Sequence, residues 1–171
     1  AILHGFSTAG GAYQIGMSDY VIGVKGNGMA ALAGSALLRA ATGENATNSD
    51  IGGVEMHSVV TGSVEYLVND DAESIVTVRK LIDQLNWNEN DAQKTILNFE
   101  EPEYPIEDLA GIVPTDYSKG YDVREVIARL VDQSGFIELK PKYGLSMVCA
   151  QAKIEGIQCG IIANNGPIDT K

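Results

Sequence analysis

Basic side chains are scarce in this chain: 12 Lys and Arg stand against 23 Asp and Glu, a formal net charge of −11 over 171 residues. Such a field repels phosphate backbones and anionic headgroups, so nucleic acid is not an expected partner, and a polyanionic ligand would need local donors such as backbone amides. Cysteine is equally sparse. Cys149 and Cys159 fit no metal or redox spacing, which leaves two structural thiols and no metal site. No apolar run approaches the roughly 20 residues that span a bilayer, and the first residues lack the charged and apolar regions of a signal peptide. The expectation is a soluble cytoplasmic protein (mitochondrial matrix in a eukaryote) without membrane insertion. Aromatics are few, yet 44% of the residues are hydrophobic and 20% charged, a composition that excludes disorder and suits one or two globular domains.

What is present begins with an apolar, glycine-rich stretch over residues 1–11, which reads as cut out of something longer. Residues 13–17 read as the first turns of a helix starting at Gly10 and Gly11, and residues 20–24 and 29–33 as short strands. A short apolar helix over 35–42 should end at Gly43. Ser49 is a candidate cap for another, broken by Gly52 and Gly53. Asp70 and Glu73 have capping-box spacing before a longer helix with Ile75, Val78, Leu81, Ile82 and Leu85 at helical intervals. Residues 86–120 turn to Asn, Asp, Glu, Pro and Tyr, with Pro102, Pro105 and Pro114, and read as an ordered linker. Beyond it, Asp122 and Glu125 repeat the capping spacing ahead of Val126, Ile127, Leu130 and Val131. Strands over 146–154 and 159–163 follow, joined through Gly156, and 164–167 reads as a turn.

Thr8-Ala9-Gly10-Gly11-Ala12-Tyr13 is the segment with the most chemical promise. Amides at a helix N-terminus have no internal acceptor and favour negative charge. Aimed at a thioester oxygen, they would stabilise an enolate by about 3 kcal/mol per donor. Tight packing also produces Gly-Gly before a helix, and the residues alone leave both readings open. Gly26-Asn27-Gly28-Met29-Ala30-Ala31 matches the dinucleotide fingerprint, but no uninterrupted helix follows, so an ordinary turn is expected. Gly5-Phe6-Ser7-Thr8-Ala9 approaches a nucleophile elbow, with His4, His57 and Asp19 as imaginable partners of Ser7. Its last glycine is missing, and His57 is expected to be a satisfied, half-buried histidine. The acidic clusters at Asp70-Asp71 and Glu100-Glu101 read as solvated surface.

Several segments in fixed order resemble one family. They are 7–13 with Ser18-Asp19, Leu38-Arg39-Ala40-Ala41-Thr42-Gly43-Glu44, Gly52-Gly53-Val54-Glu55-Met56-His57, residues 121–132 from Tyr121-Asp122-Val123-Arg124 to Asp132, and Ile161-Ile162-Ala163-Asn164-Asn165. Together they resemble the carboxyltransferase (beta) subunits of biotin-dependent acyl-CoA carboxylases of the propionyl-, methylcrotonyl- and geranyl-CoA type, over nearly the whole chain.

The resemblance implies an α/β, crotonase-like ββα superhelix with parts of two related domains. Residues 1–87 would be the later part of the first, acyl-CoA-binding domain, 88–120 a linker, and 121–171 an incomplete start of the second, biotin-side domain. It places the amides of Gly10 and Gly11 on the enolate oxygen, with Ala9, Ala12 and Tyr13 as substrate-binding neighbours. Carboxybiotin would serve as cofactor and acyl-CoA as substrate, with methylcrotonyl, geranyl or longer acyl groups favoured over acetyl. The attachment motif Ala-Met-Lys-Met does not occur, so biotin would come from a partner, and the amide pair for it would lie beyond Lys171. Implied partners are a biotin carboxylase, a biotin carrier subunit and further copies in a homo-oligomer. Gly34-Ser35-Ala36 stands where many relatives have Gly-Pro-Pro, Arg39 replaces a lysine, and Gly135 replaces an arginine whose charged fork cannot be carried over. A sodium-pumping acyl-CoA decarboxylase subunit and a non-catalytic interaction piece are the alternatives, and the isolated 171 residues are expected to be inactive.

Overall fold

The structure, a computed structural model, describes residues 1–85, 99–116 and 118–166. The chain divides into two compact units, Ala1–Leu81 and Ile82–Lys171.

The first unit is built from strand pairs followed by helices. β1 (Ile2–Leu3) and β2 (Phe6–Thr8) lead into α1 (Gly10–Gly16), and β3 (Ile22–Val24) and β4 (Met29–Ala31) lead into α2 (Ser35–Thr42). Next come α3 (Asn48–Gly52), α4 (Val54–Met56), a π-helical stretch (His57–Thr61), β5 (Tyr66–Val68) and α5 (Asp71–Gln84). The first strand of each pair joins one parallel sheet in the order β1-β3-β5, and the second strands pair as parallel β2-β4. Each ββα unit therefore stacks on the previous one by sheet extension. Leu3, Val21, Val54 and Val64 form the buried core between them. Burying four such side chains contributes on the order of 6–10 kcal/mol before entropy.

Two glycines show how tight this packing is. A Cβ on Gly23 would stand 2.7 Å from Val54 Cβ, and one on Gly28 would collide with the carbonyl of Leu3 and with Val54. Gly28 is thus glycine because the core leaves no room, and residues 25–27 form an ordinary turn ahead of β4, as expected.

Local signals set most helix ends. α2 stops at Gly43, which takes the left-handed conformation at φ 77°. The cap of α3 is Thr47 rather than Ser49: its hydroxyl accepts from the Asp50 amide while Asp50 Oδ2 accepts from the Thr47 amide at 2.9 Å. Before α5, Asp70 accepts from the Glu73 amide at 2.8 Å, but Glu73 reaches back to the amide of Asn69 at 2.7 Å, one residue earlier than a capping box requires. Leu81 is buried on α5, whereas Ile75 and Ile82, expected on the same apolar face, are exposed. That helix is thus only narrowly embedded. Strands β1, β2 and β5 were not foreseen as strands.

The second unit contains α6 (Leu109–Ile112), α7 (Val123–Ile127), β6 (Phe136–Leu139), β7 (Met147–Ile154) and β8 (Ile157–Asn164), the strands forming an antiparallel β6-β7-β8 sheet. Val123, Ile127, Val131, Val148, Ala150 and Ala152 make its core. The β7–β8 hairpin turns through Glu155 (φ 50°) and Gly156 (φ 77°), a two-residue turn whose positive φ angles match strand twist. Asp122 caps α7 through the Arg124 amide at 3.0 Å. Glu125 does not complete a box, because its carboxylate is held by Arg129 at 2.9 Å. Leu130 is exposed rather than core.

Of the expected linker, residues 86–98 and Tyr117 lie outside the described residues, as does Pro167 of the expected turn. The described part holds a 3-10 turn (Ile106–Asp108) and α6, and it is tied down within the second unit. Ser134 Oγ accepts from the Glu103 amide at 2.9 Å, and the Arg129 guanidinium sits over the Tyr104 ring at 5.2 Å.

Candidate functional site

The β2–α1 turn is the most strained backbone of the first unit. Ala9, the residue before α1, holds φ 50° and ψ −117° without being glycine. A Cβ-bearing residue there costs roughly 1–3 kcal/mol, and such outliers concentrate at functional sites. What holds it is the ladder: the Ala9 amide donates to the Ala31 carbonyl at 3.1 Å, and the Ala9 carbonyl accepts from the Ala12 amide at 3.0 Å. Strand β2 is thereby turned sharply into α1.

The consequence is exposure of donors. Gly10 and Gly11 carry the first two amides of α1, and no carbonyl one turn back can accept from them. The first turn contains no acidic side chain to compete for them. Gly10 is exposed, its φ lies outside the left-handed region, and a Cβ built there would meet nothing within 4 Å. Neither backbone conformation nor internal space accounts for a glycine at that position. At Gly11 the reason is internal, since a Cβ would stand 2.7 Å from Ser7 Oγ.

Beside the turn lies a mainly apolar cavity of about 480 Å³. Ala12, Tyr13 and Ile15 of α1 form one wall, Ala30, Ala31 and Leu32 another, and Leu38, Ile51 and His57 contribute from further along the chain. Of the five residues expected at the site, Ala9, Gly10 and Gly11 make the turn, while Ala12 and Tyr13 line the cavity; the side chain of Tyr13 remains mostly exposed. The segments behind β4, α2 and His57 were singled out in the sequence, as a strand, a helix and a family-like motif, but nothing local marked them as walls of this cavity.

The nucleophile-elbow alternative does not assemble. His57 Nε2 donates to Ala30 O at 2.8 Å and Nδ1 pairs with Thr61 Oγ1 at 3.0 Å, and His4 pairs with Asp71 at 3.6 Å. Neither reaches Ser7. The strained position that an elbow would use is occupied by Ala9, which carries no nucleophile.

Near the departures from the family pattern, Asn48 Oδ1 accepts from the Ser35 amide at 2.9 Å, so a side chain of α3 caps α2 without the prolines. Arg39 lines a polar hollow with Glu44, Thr47 and Asp50. The Thr47 hydroxyl and amide hold the Asp50 carboxyl below its ordinary range. Among the described residues, no group of three or more His, Cys, Asp or Glu could hold a metal ion, and no helix is long and apolar enough to cross a membrane.

Residues 1–168 match the family described as carboxyl transferase domain. The methylcrotonoyl-CoA carboxylase beta chain of Dictyostelium discoideum is 45% identical over 97% of this chain and 28% of its own length. A probable biotin-dependent acyl-coenzyme A carboxylase beta2 subunit of Mycobacterium tuberculosis is 42% identical over 96% of this chain and 31% of its own. Among solved structures, the transcarboxylase 12S hexamer with hydrolyzed methylmalonyl-coenzyme A bound superimposes with a TM-score of 0.84 at 33% identity, covering 96% of this chain and 32% of that one. The chain spans under a third of the length of each of these proteins.

Proposed function

The chain belongs to the carboxyl transferase domain family, and from that premise we propose that it serves in the carboxyltransferase subunit of a biotin-dependent acyl-CoA carboxylase. Its fold is the crotonase-like α/β fold of that family. The first unit would belong to the acyl-CoA-binding domain, and residues 121–171 to the biotin-side domain.

The observation that carries this reading is the Ala9–Gly10–Gly11 turn. An acyl thioester oxygen placed against the Gly10 and Gly11 amides accepts two hydrogen bonds, and these strengthen as the carbonyl becomes an enolate. Each such donor is worth about 3 kcal/mol in the transition state. The donors are backbone groups held by the β2–β4 ladder, so they need no reorganisation when charge develops. They also need no titrating side chain, which suits a turn whose neighbours are Ala and Gly. The overall negative charge makes such local donors the more necessary for a polyanionic substrate.

Carboxybiotin, brought by a partner chain, supplies the carboxyl group. The Gly10–Gly11 amide pair is assigned to the acyl group, and we place no residue of this chain on biotin. The cavity beside the turn takes the acyl chain. At about 480 Å³ and lined by Ala, Leu and Ile, it favours methylcrotonyl, geranyl or longer groups over acetyl, which would leave it largely unfilled. Tyr13 of α1 and Met17 just after it, respectively 61% and 86% exposed, would be covered in the assembled enzyme by further copies of the subunit. A biotin carboxylase and a biotin carrier complete the assembly.

The test is acyl-CoA binding by calorimetry and carboxylation turnover on the full-length assembled enzyme, with Gly10→Ala beside it. That methyl group points into open space within the protein, so the fold should persist while turnover falls roughly 100-fold. Absence of binding to any acyl-CoA, or unchanged turnover in Gly10→Ala, overturns the reading.

A further inference from the structure

Strand β4 is held from both edges. On one edge the Met29 amide donates to Gly5 O and Ala31 O accepts from the Ala9 amide, both at 3.1 Å. In a parallel ladder alternate residues bond to the same neighbour, so the intervening Ala30 presents its carbonyl to the other edge. On that edge the Val54 amide donates to Gly28 O at 3.1 Å, and Met29 bridges Gly53. The backbone ladder then ends, because the bridge is antiparallel and its next partner, Gly52, already belongs to helix α3. The next acceptor in line, Ala30 O, is met by a side chain: His57 Nε2 at 2.8 Å.

A carbonyl can only accept, so Nε2 carries a proton and donates. The other ring nitrogen is held as well, with Thr61 Oγ1 3.0 Å from Nδ1 and Ser63 Oγ 2.8 Å from Thr61 Oγ1. That geometry exists because His57–Thr61 is π-helical, a rare winding that is over-represented at functional sites. Gly52 belongs to the same arrangement, since a Cβ there would collide with the Ala30 carbonyl and close the approach. His57 thus stands behind β4 at the residue adjacent to Ala31, whose carbonyl anchors the strained Ala9.

We propose that His57 is a positioning residue for the Ala9–Gly11 turn, acting through Ala30 and Ala31 of β4. This rests on the carboxyltransferase reading of the turn. The ring nitrogens of His57 bond to Ala30 O and Thr61 Oγ1 rather than to the glycine amides, while the ring also forms part of the cavity wall. His57 sets the position of β4 along the cavity, and β4 sets where the Gly10 and Gly11 amides point. Small displacements of such donors cost turnover more than binding, because their hydrogen bonds strengthen in the transition state.

Two polar variants separate positioning from bulk in the full-length assembled enzyme. The Gln amide of His57→Gln reaches the Nε2 position and can donate to Ala30 O, whereas the Asn amide of His57→Asn reaches only the Nδ1 position. Expected for His57→Asn is a kcat lower by roughly 10- to 100-fold, a larger effect than any change in acyl-CoA Kd by calorimetry, with a thermal midpoint lowered because Ala30 O loses its donor. His57→Gln should recover kcat to within about 5-fold of the unsubstituted enzyme. Equal activity in the two variants, a loss confined to Kd and KM, or failure of both to assemble overturns the proposal. Absence of turnover in the unsubstituted enzyme sinks the parent reading itself, and is distinguishable because it appears before any variant is made.

Discussion

Ser7 and Gly11 compete for one space, with Ser7 Oγ only 2.7 Å from where a Cβ on Gly11 would stand. Gly11→Ala should therefore destabilise the first unit by about 1–2 kcal/mol, moderated by rotation of the serine hydroxyl. Removing the hydroxyl removes the conflict. Ser7→Ala combined with Gly11→Ala should recover most of the loss, a non-additivity of about 1 kcal/mol in a urea-unfolding double-mutant cycle. Additive effects would mean that the glycine is needed for something other than room.

Arg124 grips Glu138 in a two-pronged pair, Nε and Nη2 each 2.6 Å from a carboxylate oxygen, linking α7 to β6. The hydrogen bonds to Glu138 outweigh desolvation and raise the guanidinium pKa further, so it stays charged at any working pH. Arg124→Lys cannot reproduce the fork and should cost roughly 2 kcal/mol in chemical denaturation. A loss below half of that would show the pair to be no better than a surface salt bridge.

Tyr66 is nearly buried in β5, and burial, with the charges of Tyr20 and Glu65 adding to it, pushes its hydroxyl up to about 12. The unfolded chain ionises near 10, so the neutral phenol's contribution is intact below pH 10 and is lost as pH rises from 10 to 12. Alkaline spectrophotometric titration should show a late tyrosine ionisation near pH 12, and Tyr66→Phe should abolish it. Persistence of the late step in Tyr66→Phe would assign it elsewhere.

Asp132 secures the β7–β8 turn from outside the strands, accepting from the Glu155 amide at 2.8 Å and the Gly156 amide at 2.7 Å. Asp132→Asn turns one acceptor into an amide NH2 that faces a backbone N–H. Roughly 1–3 kcal/mol of stability should go with it, and amide exchange at Glu155 and Gly156 should quicken. Unchanged exchange at both positions would count against this role.

Where a signal is carried within a few residues, it was legible. The span of α2, its stop at Gly43, the existence of α5 and the β7–β8 hairpin all follow from capping, periodicity and turn residues close in sequence. Misjudged caps have a common cause: Ser49 lost to Thr47, and the Glu73 and Glu125 carboxylates found Asn69 and Arg129, nearby partners that spacing does not rank. Strands β1, β2, β5 and β6 are two to four residues long. That is too short for any period to show, and β3 and β4, no longer than these, were legible only because they lie in apolar runs of about five residues.

By itself the sequence determined the glycine pair before a helix, the acidic balance that calls for local donors, and, through ordered motifs, the family. Only the tertiary structure decided the strain at Ala9, the cavity and the role open to His57. The physical reason is parallel pairing: it joins Ala9 to Ala31 and, through Ala30, to His57, residues far apart along the chain whose relation exists only once the ββα units have stacked.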